Sequence, residues 1–217
     1  MNKEQFNEIK ERLTKYREVR HLTYENQQAE FLGDVFEKVS KYFRAKDDLE
    51  SVDALCYMAI FYINSFRFEY TTVTLYENLS KELFIVNLIY RLGDFIEKNK
   101  ELDLEFIEIN FGFVFLASIE NIVSDLGFNF YKCMLQTIKE IESRTGHYDD
   151  ELKKFVEKRG AYSVQDSADK FSKENIIDSD FYVLEDEDYF VVFNKEDDFA
   201  LDRYVKWYKA DYERCKL

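Results

Sequence analysis

The sequence predicts a mostly α protein, a helical bundle followed by a small C-terminal α+β region containing a β-hairpin. Three observations predict it. No proline occurs in 217 residues, where average usage of about 5% would give roughly ten. Glycine occurs six times. So few breakers favour long helices and few tight turns. Apolar residues then recur at three- and four-residue spacing from Phe6 to the 140s, the period of a half-buried helix. Beyond the 160s the texture changes to acidic stretches around alternating β-formers. The expected organisation is a helical body over 1–160 and an acidic region over 161–217 with a hairpin and a terminal helix.

Each element has its own signal. Residues 2–20 place Phe6, Ile9, Leu13 and Tyr16 on one helical stripe. Thr23 suits an N-cap for a second helix that buries Phe31, Val35, Val39 and Tyr42 or Phe43. Lys46, Asp47 and Asp48 make a turn. From Leu49 to about Phe68 the chain is apolar nearly all round, as expected of a helix in the middle of a bundle. A fourth helix is expected over 71–99 and a fifth over 102–126, stopped by Gly127. Alternation in 105–115 would also suit a strand. A sixth helix over 128–144 ends at Thr145-Gly146. Asp149 to Arg159 reads as a short charged helix, and Gly160 to Ser179 gives no clear signal. Phe181–Leu184 and Tyr189–Phe193 read as a hairpin around Glu185, Asp186, Glu187 and Asp188.

Composition narrows the function. The net charge of −14 argues against a nucleic-acid backbone or an anionic membrane as main partner, because both repel such a surface. Met1 to Arg20 is polar and charged, so no leader is expected there. The longest apolar run, Ala54 to Ile63, is too short to span a bilayer. The cysteines Cys56, Cys133 and Cys215 are odd in number and widely spaced, which fits a reduced, cytoplasmic setting. His21 and His147 stand alone and suit turn or surface roles. From Glu174 to Asp202 the acids face a single cation, Lys195, and could form a surface for a basic protein partner.

The chemistry concentrates between Glu25 and Asn64. Asp34, Glu37, Lys38 and Lys41 share one face of the second helix, at i, i+3, i+4 and i+7. Glu50, Asp53 and Tyr57 share one face of the third. Two facing helices with acids at such spacing can build a metal site. The words Glu37-Lys38-Val39-Ser40-Lys41, Arg44-Ala45, Glu50-Ser51-Val52-Asp53-Ala54-Leu55-Cys56-Tyr57 and Phe61 to Asn64 resemble the all-α nucleoside triphosphate pyrophosphohydrolases. That is the MazG-like superfamily, and the likeness is to its phage and prophage members. Two further islands resemble them, Met134 to Gly146 and Trp207 to Tyr212 with Cys215. Together the three cover about half the chain.

The resemblance implies a MazG-like bundle, a homodimer, a nucleotide substrate and Mg²⁺ held by four carboxylates. It implies release of pyrophosphate from a (deoxy)nucleoside triphosphate. Glu37 falls on the first glutamate of the family's Glu-Glu-x-x-Glu, and Lys38 and Lys41 fall on its two ligand positions. Glu50 and Asp53 match Glu-x-x-Asp, and Tyr57 stands where an aspartate often is. The catalytic candidates are thus Glu37, Glu50 and Asp53. Lys38, Lys41, Asn64, Lys139 and Arg144 are the candidates for substrate binding. Glu142 stands where the relatives carry asparagine.

Three readings follow. An ammonium has no lone pair and cannot ligate a metal, so Lys38 and Lys41 could replace the metal's charge and leave a binding protein that catalyses nothing. A shifted register instead gathers Asp34, Glu37, Glu50 and Asp53 as metal ligands. Or the four charged residues of the second helix form a solvated face with Asp34–Lys38 and Glu37–Lys41 pairs.

Overall fold

A computed structural model describes residues 1–67, 69, 70, 87, 104–175 and 180–217, with backbone alone for 104–113. Among them the chain is mostly helical, with a small sheet region near the C-terminus. It forms two compact units, Met1–Ile138 with Asp211–Leu217, and Lys139–Ala210.

The first unit is helical. Helix α1 (Lys3–Arg20) starts at a capping box, with Asn2 and Gln5 each accepting the other's backbone N–H at 2.9 Å. It buries Phe6, Ile9 and Leu13, as expected, but the stripe continues into Arg17 and Arg20, while Tyr16 is half-buried. It ends at His21, whose φ of 53° is left-handed, so this histidine has a turn role. Helix α2 (Tyr24–Phe43) is capped by Thr23, whose Oγ1 accepts from Asn26 N at 3.2 Å. It buries Phe31, Val35 and Val39; of the two aromatics at its end, Tyr42 is half-buried and Phe43 exposed.

Helix α3 (Asp48–Ser65) starts at Asp47, which accepts from Glu50 N at 2.8 Å. Nearly every residue from Val52 to Ser65 is buried. The cause is its position, since α1, α2 and α4 (Leu104–Asp125) all pack on it. The alternating stretch within 105–115 is helical, so the bundle overrides its strand-like pattern. Gly127, at φ 86°, ends α4 in a Schellman arrangement. Phe128 N donates to Val123 O and Gly127 N to Ser124 O. Helix α5 (Phe130–Ser143) follows, with Asn129 accepting from Lys132 N at 3.0 Å. The helix expected over 71–99 lies, but for residue 87, outside the described residues. The chain end returns to this unit as a 3₁₀ turn (Tyr212–Cys215), not the longer terminal helix expected.

The second unit corrects one expectation. Asp149 to Arg159 is not helical. Strands β1 (Gly146–Asp149) and β2 (Lys154–Glu157) pair antiparallel there, Gly146 opposite Glu157. The Asp149 carboxylate closes the turn by accepting from Glu151 N and Leu152 N, each at 2.9 Å. Gly146 is required, because a Cβ would sit 2.2 Å from Val156 O. The stretch without a clear signal contains β3 (Gly160–Ala161) and α6 (Val164–Glu174). Its capping pattern was present in Ser163 and Asp166. Ser163 Oγ accepts from Asp166 N at 3.1 Å, and Asp166 Oδ2 accepts from Tyr162 N at 2.9 Å.

The expected hairpin is present as β4 (Phe181–Glu185) and β5 (Tyr189–Asn194). The Asp186 carboxylate organises its acidic turn, accepting from Asp188 N and Tyr189 N. Strand β6 (Ala200–Lys206) pairs antiparallel with β5 and parallel with β3, giving the order β3-β6-β5-β4. Ala161, Phe171, Phe190, Val192 and Tyr204 form its core. Phe190 and Val192 sit two apart on one face, as the strand period requires. Among the described residues no helix is long and apolar enough to cross a membrane.

Candidate functional site

The α2–α3 pair holds most of the predicted site. Asp53 lies on the one side of α3 that is not fully buried, opposite Lys41 of α2. Lys41 Nζ stands 2.5 Å from Asp53 Oδ2. The other carboxylate oxygen, Oδ1, accepts from the Tyr212 hydroxyl at 3.0 Å. A carboxylate is an acceptor only, so Tyr212 gives its one proton to Asp53. The Thr137 hydroxyl lies 2.9 Å from the Tyr212 oxygen and donates to Cys133 O at 3.0 Å. Burial, with Cys56 and Asp53 beside it, pushes the Tyr212 phenol far above its ordinary range, so it acts as a neutral donor.

Lys38 is the second lysine of this α2 face. Its ammonium donates to the Glu37 carboxylate at 2.9 Å and sits 4.9 Å from the centre of the Tyr57 ring. The hydrogen bond from Lys38 holds Glu37 below the usual carboxylate range. Tyr57, on a position where the resemblance expects an aspartate, thus offers a π face to the cation rather than a charge. The pairs expected of a solvated face, Asp34–Lys38 and Glu37–Lys41, are not the ones formed. Lys41 instead reaches across to α3, and Lys38 bonds its neighbour Glu37.

Asp34 is half-buried. Burial first, then the nearby Glu30 and Glu37, raise its carboxyl above the ordinary value. Glu50 folds back on the start of α3 and accepts from Lys46 N at 2.9 Å. Its role is that of a capping residue. Among the described residues no group of three or more His, Cys, Asp or Glu side chains is placed to hold a metal ion. Asp34, Glu37, Glu50 and Asp53 are therefore not gathered as four ligands. The donors fit Mg²⁺ poorly as they stand, because both oxygens of Asp53 and one of Glu50 already accept hydrogen bonds from the protein.

Asn64 lies elsewhere in this unit, at the far end of α3. It is buried and accepts from Arg17 Nη1 at 2.9 Å. Sequence reasoning singled out Asn64 but missed Arg17, although Arg17 continues the spacing of Phe6, Ile9 and Leu13.

Lys139 and Arg144 belong to the second unit. Lys139 Nζ stands 3.8 Å from the centre of the Tyr208 ring. Arg144 donates to the buried Glu140 at 3.1 Å and to the Tyr162 hydroxyl at 2.5 Å, with the Trp207 ring 5.5 Å away. Glu140 also accepts from Tyr162 Oη at 3.0 Å and from Ala210 N at 2.9 Å. Burial, and then the Glu140 charge, push the Tyr162 phenol up to about 12. This knot holds a compensated charge within the second unit. Trp207 packs so tightly on Gly160 that a Cβ there would lie 2.1 Å from its Nε1.

Part of the acidic stretch is compensated within the unit. Glu174 and Asp202 pair with Arg159, and Glu185 with Lys206 at 2.8 Å. The cysteines are free and buried, with Cys56 in the core of α3.

No family model, no curated protein and no solved structure matches the chain.

Proposed function

We propose that the chain is a MazG-like nucleotide-binding protein that has exchanged its metal for lysine and does not hydrolyse its ligand. The observation that carries this reading is Lys41 on Asp53, 2.5 Å apart, with Tyr212 on the remaining carboxylate oxygen. A cation is already in place between the acidic helices, and it is an ammonium. It can neutralise a carboxylate but cannot lower the pKa of a water or bind one as a metal does. Lys38, between Glu37 and Tyr57, supports the same reading. The homodimer implied by the resemblance belongs to it.

A second reading, the Mg²⁺-dependent pyrophosphohydrolase, keeps one observation in its favour. Asp34 is pushed up by burial first and then by Glu30 and Glu37, and a divalent cation would relieve the part due to those carboxylates. Mg²⁺ would then have to displace Lys41 from Asp53 and recruit Glu37 and Glu50.

The test is nucleotide binding and pyrophosphate release, each measured with EDTA and with Mg²⁺, across ribo- and deoxynucleoside triphosphates. Binding in EDTA without turnover in either buffer is expected. Mg²⁺-dependent turnover abolished by Asp53→Asn would replace the first reading with the second.

A further inference from the structure

We infer that Arg17 and Arg67, with Asn64 between helices α1 and α3, form an anion site that takes a polyphosphate chain. The inference deepens the nucleotide-binding reading and says where the phosphates go.

Buried arginine is ordinarily paired with an acid, because an unpaired charge in the interior is costly. Arg17 is 5% exposed. Its three hydrogen bonds go to neutral oxygens, Asn64 Oδ1 at 2.9 Å, Thr14 Oγ1 at 3.0 Å and the Tyr24 hydroxyl at 3.0 Å. Its guanidinium lies 4.6 Å from the centre of the Tyr24 ring, and Arg67 lies 4.8 Å from the same ring. Two guanidiniums therefore share one half-buried tyrosine, and Arg67 is exposed. Among the described residues no carboxylate hydrogen-bonds or ion-pairs with either. Glu18 lowers the cost of the Arg17 charge, and Glu25 feels Arg67, both through space.

Four lysines of this unit differ. Lys41 has Asp53, Lys38 has Glu37, Lys15 has Glu11 and Lys10 has Glu69. Charge left over after internal pairing is charge available to a ligand. Asn64 points the same way. Because its Oδ1 faces Arg17, its amide Nδ2 faces elsewhere, and no acceptor meets it among the described residues. Two planar guanidiniums and an amide N–H₂ make a purely donating set, suited to the several oxygens and multiple charge of a phosphate chain. The self-neutralised lysines of the α2–α3 site do not offer this.

The test is calorimetric titration of the full chain in EDTA with inorganic tripolyphosphate and, separately, with a nucleoside triphosphate. Arg67→Glu changes an exposed side chain and leaves the fold intact, which circular dichroism and Tm check. It should weaken tripolyphosphate binding by about tenfold or more, as loss of a charge-assisted contact does. Arg17→Lys should weaken it too, whereas Lys15→Gln, at an exposed lysine paired with Glu11, should leave it unchanged. No tripolyphosphate binding by the native chain, or equal binding by the native chain and Arg67→Glu, overturns the site. The two readings fail separately. Nucleotide bound in EDTA but indifferent to Arg67→Glu sinks this site and keeps the metal-free binding protein. Tripolyphosphate bound through Arg67 with no affinity for nucleotide keeps the site and sinks the nucleotide.

Discussion

Two groups of cations in the first unit make opposite use of the same charge. Lys41 and Lys38 each meet a carboxylate of the α2–α3 pair, and the positive charge is cancelled where it stands. Arg17 and Arg67 meet a tyrosine, a threonine and an asparagine, and their charge is not cancelled. The difference teaches that cation type and partner, more than position in a motif, separate a structural charge from a binding one. An ammonium on a flexible stem can swing across a helix pair to a lone acid. A guanidinium locked by three neutral acceptors keeps a fixed direction for something else.

The largest expected effect comes from breaking the first group. Lys41→Met should leave Asp53, whose side chain is 17% exposed, with Tyr212 alone. A fully buried broken pair costs about 3–5 kcal/mol, and this half-exposed lysine about 2 kcal/mol. Chemical denaturation should show it as a lower midpoint at unchanged slope, and adding Asp53→Asn should restore most of the loss. Tyr212→Phe is expected to cost about 1 kcal/mol, since it removes the donor to Asp53. Thermal melts at pH 7 test it.

A smaller effect runs the other way. Asp34 holds its proton more tightly in the folded state than in the unfolded one. Its contribution is therefore fully favourable below the unfolded carboxylate range and is lost as pH rises through the raised folded value. Asp34→Asn should raise Tm at pH 7 by about 1 °C. The gain should vanish below about pH 3.9, where the native carboxyl is protonated in both states. Melting both proteins from pH 3 to 7 checks the sign. The smallest effect belongs to the second group. Arg67→Gln should change stability by less than about 0.5 kcal/mol, being exposed and unpaired with any acid, so a larger fall in a denaturant curve would give Arg67 a structural role.

How far the sequence carried depends on the range of each interaction. Helices α1, α2 and α3 were legible because spacing, Thr23 and the Lys46–Asp48 turn act within a few residues. The β4–β5 hairpin was legible for the same reason. Asp149 to Arg159 misled because its lysines and glutamates suit an exposed helix, while the strand pairing that decides it runs from Gly146 to Glu157. Helix α6 was missed because its polar composition hid the Ser163–Asp166 cap. At the candidate site, Lys38, Lys41 and Asp53 could be named from spacing, but not that Lys41 would choose Asp53 over Glu37. Tyr212, 159 residues from Asp53, left no local trace. Arg17 did leave one, a charged residue continuing an apolar stripe.

The proposed exchange of metal for lysine is tested most directly by following Tm against Mg²⁺ concentration for the native chain and for the double variant Lys38→Glu, Lys41→Glu. A ligand that binds only the folded state raises its stability. The native Tm should not respond to Mg²⁺, while the variant should melt earlier in EDTA and recover as Mg²⁺ is added. A native Tm that climbs with Mg²⁺, or a folded variant indifferent to it, would contradict the exchange.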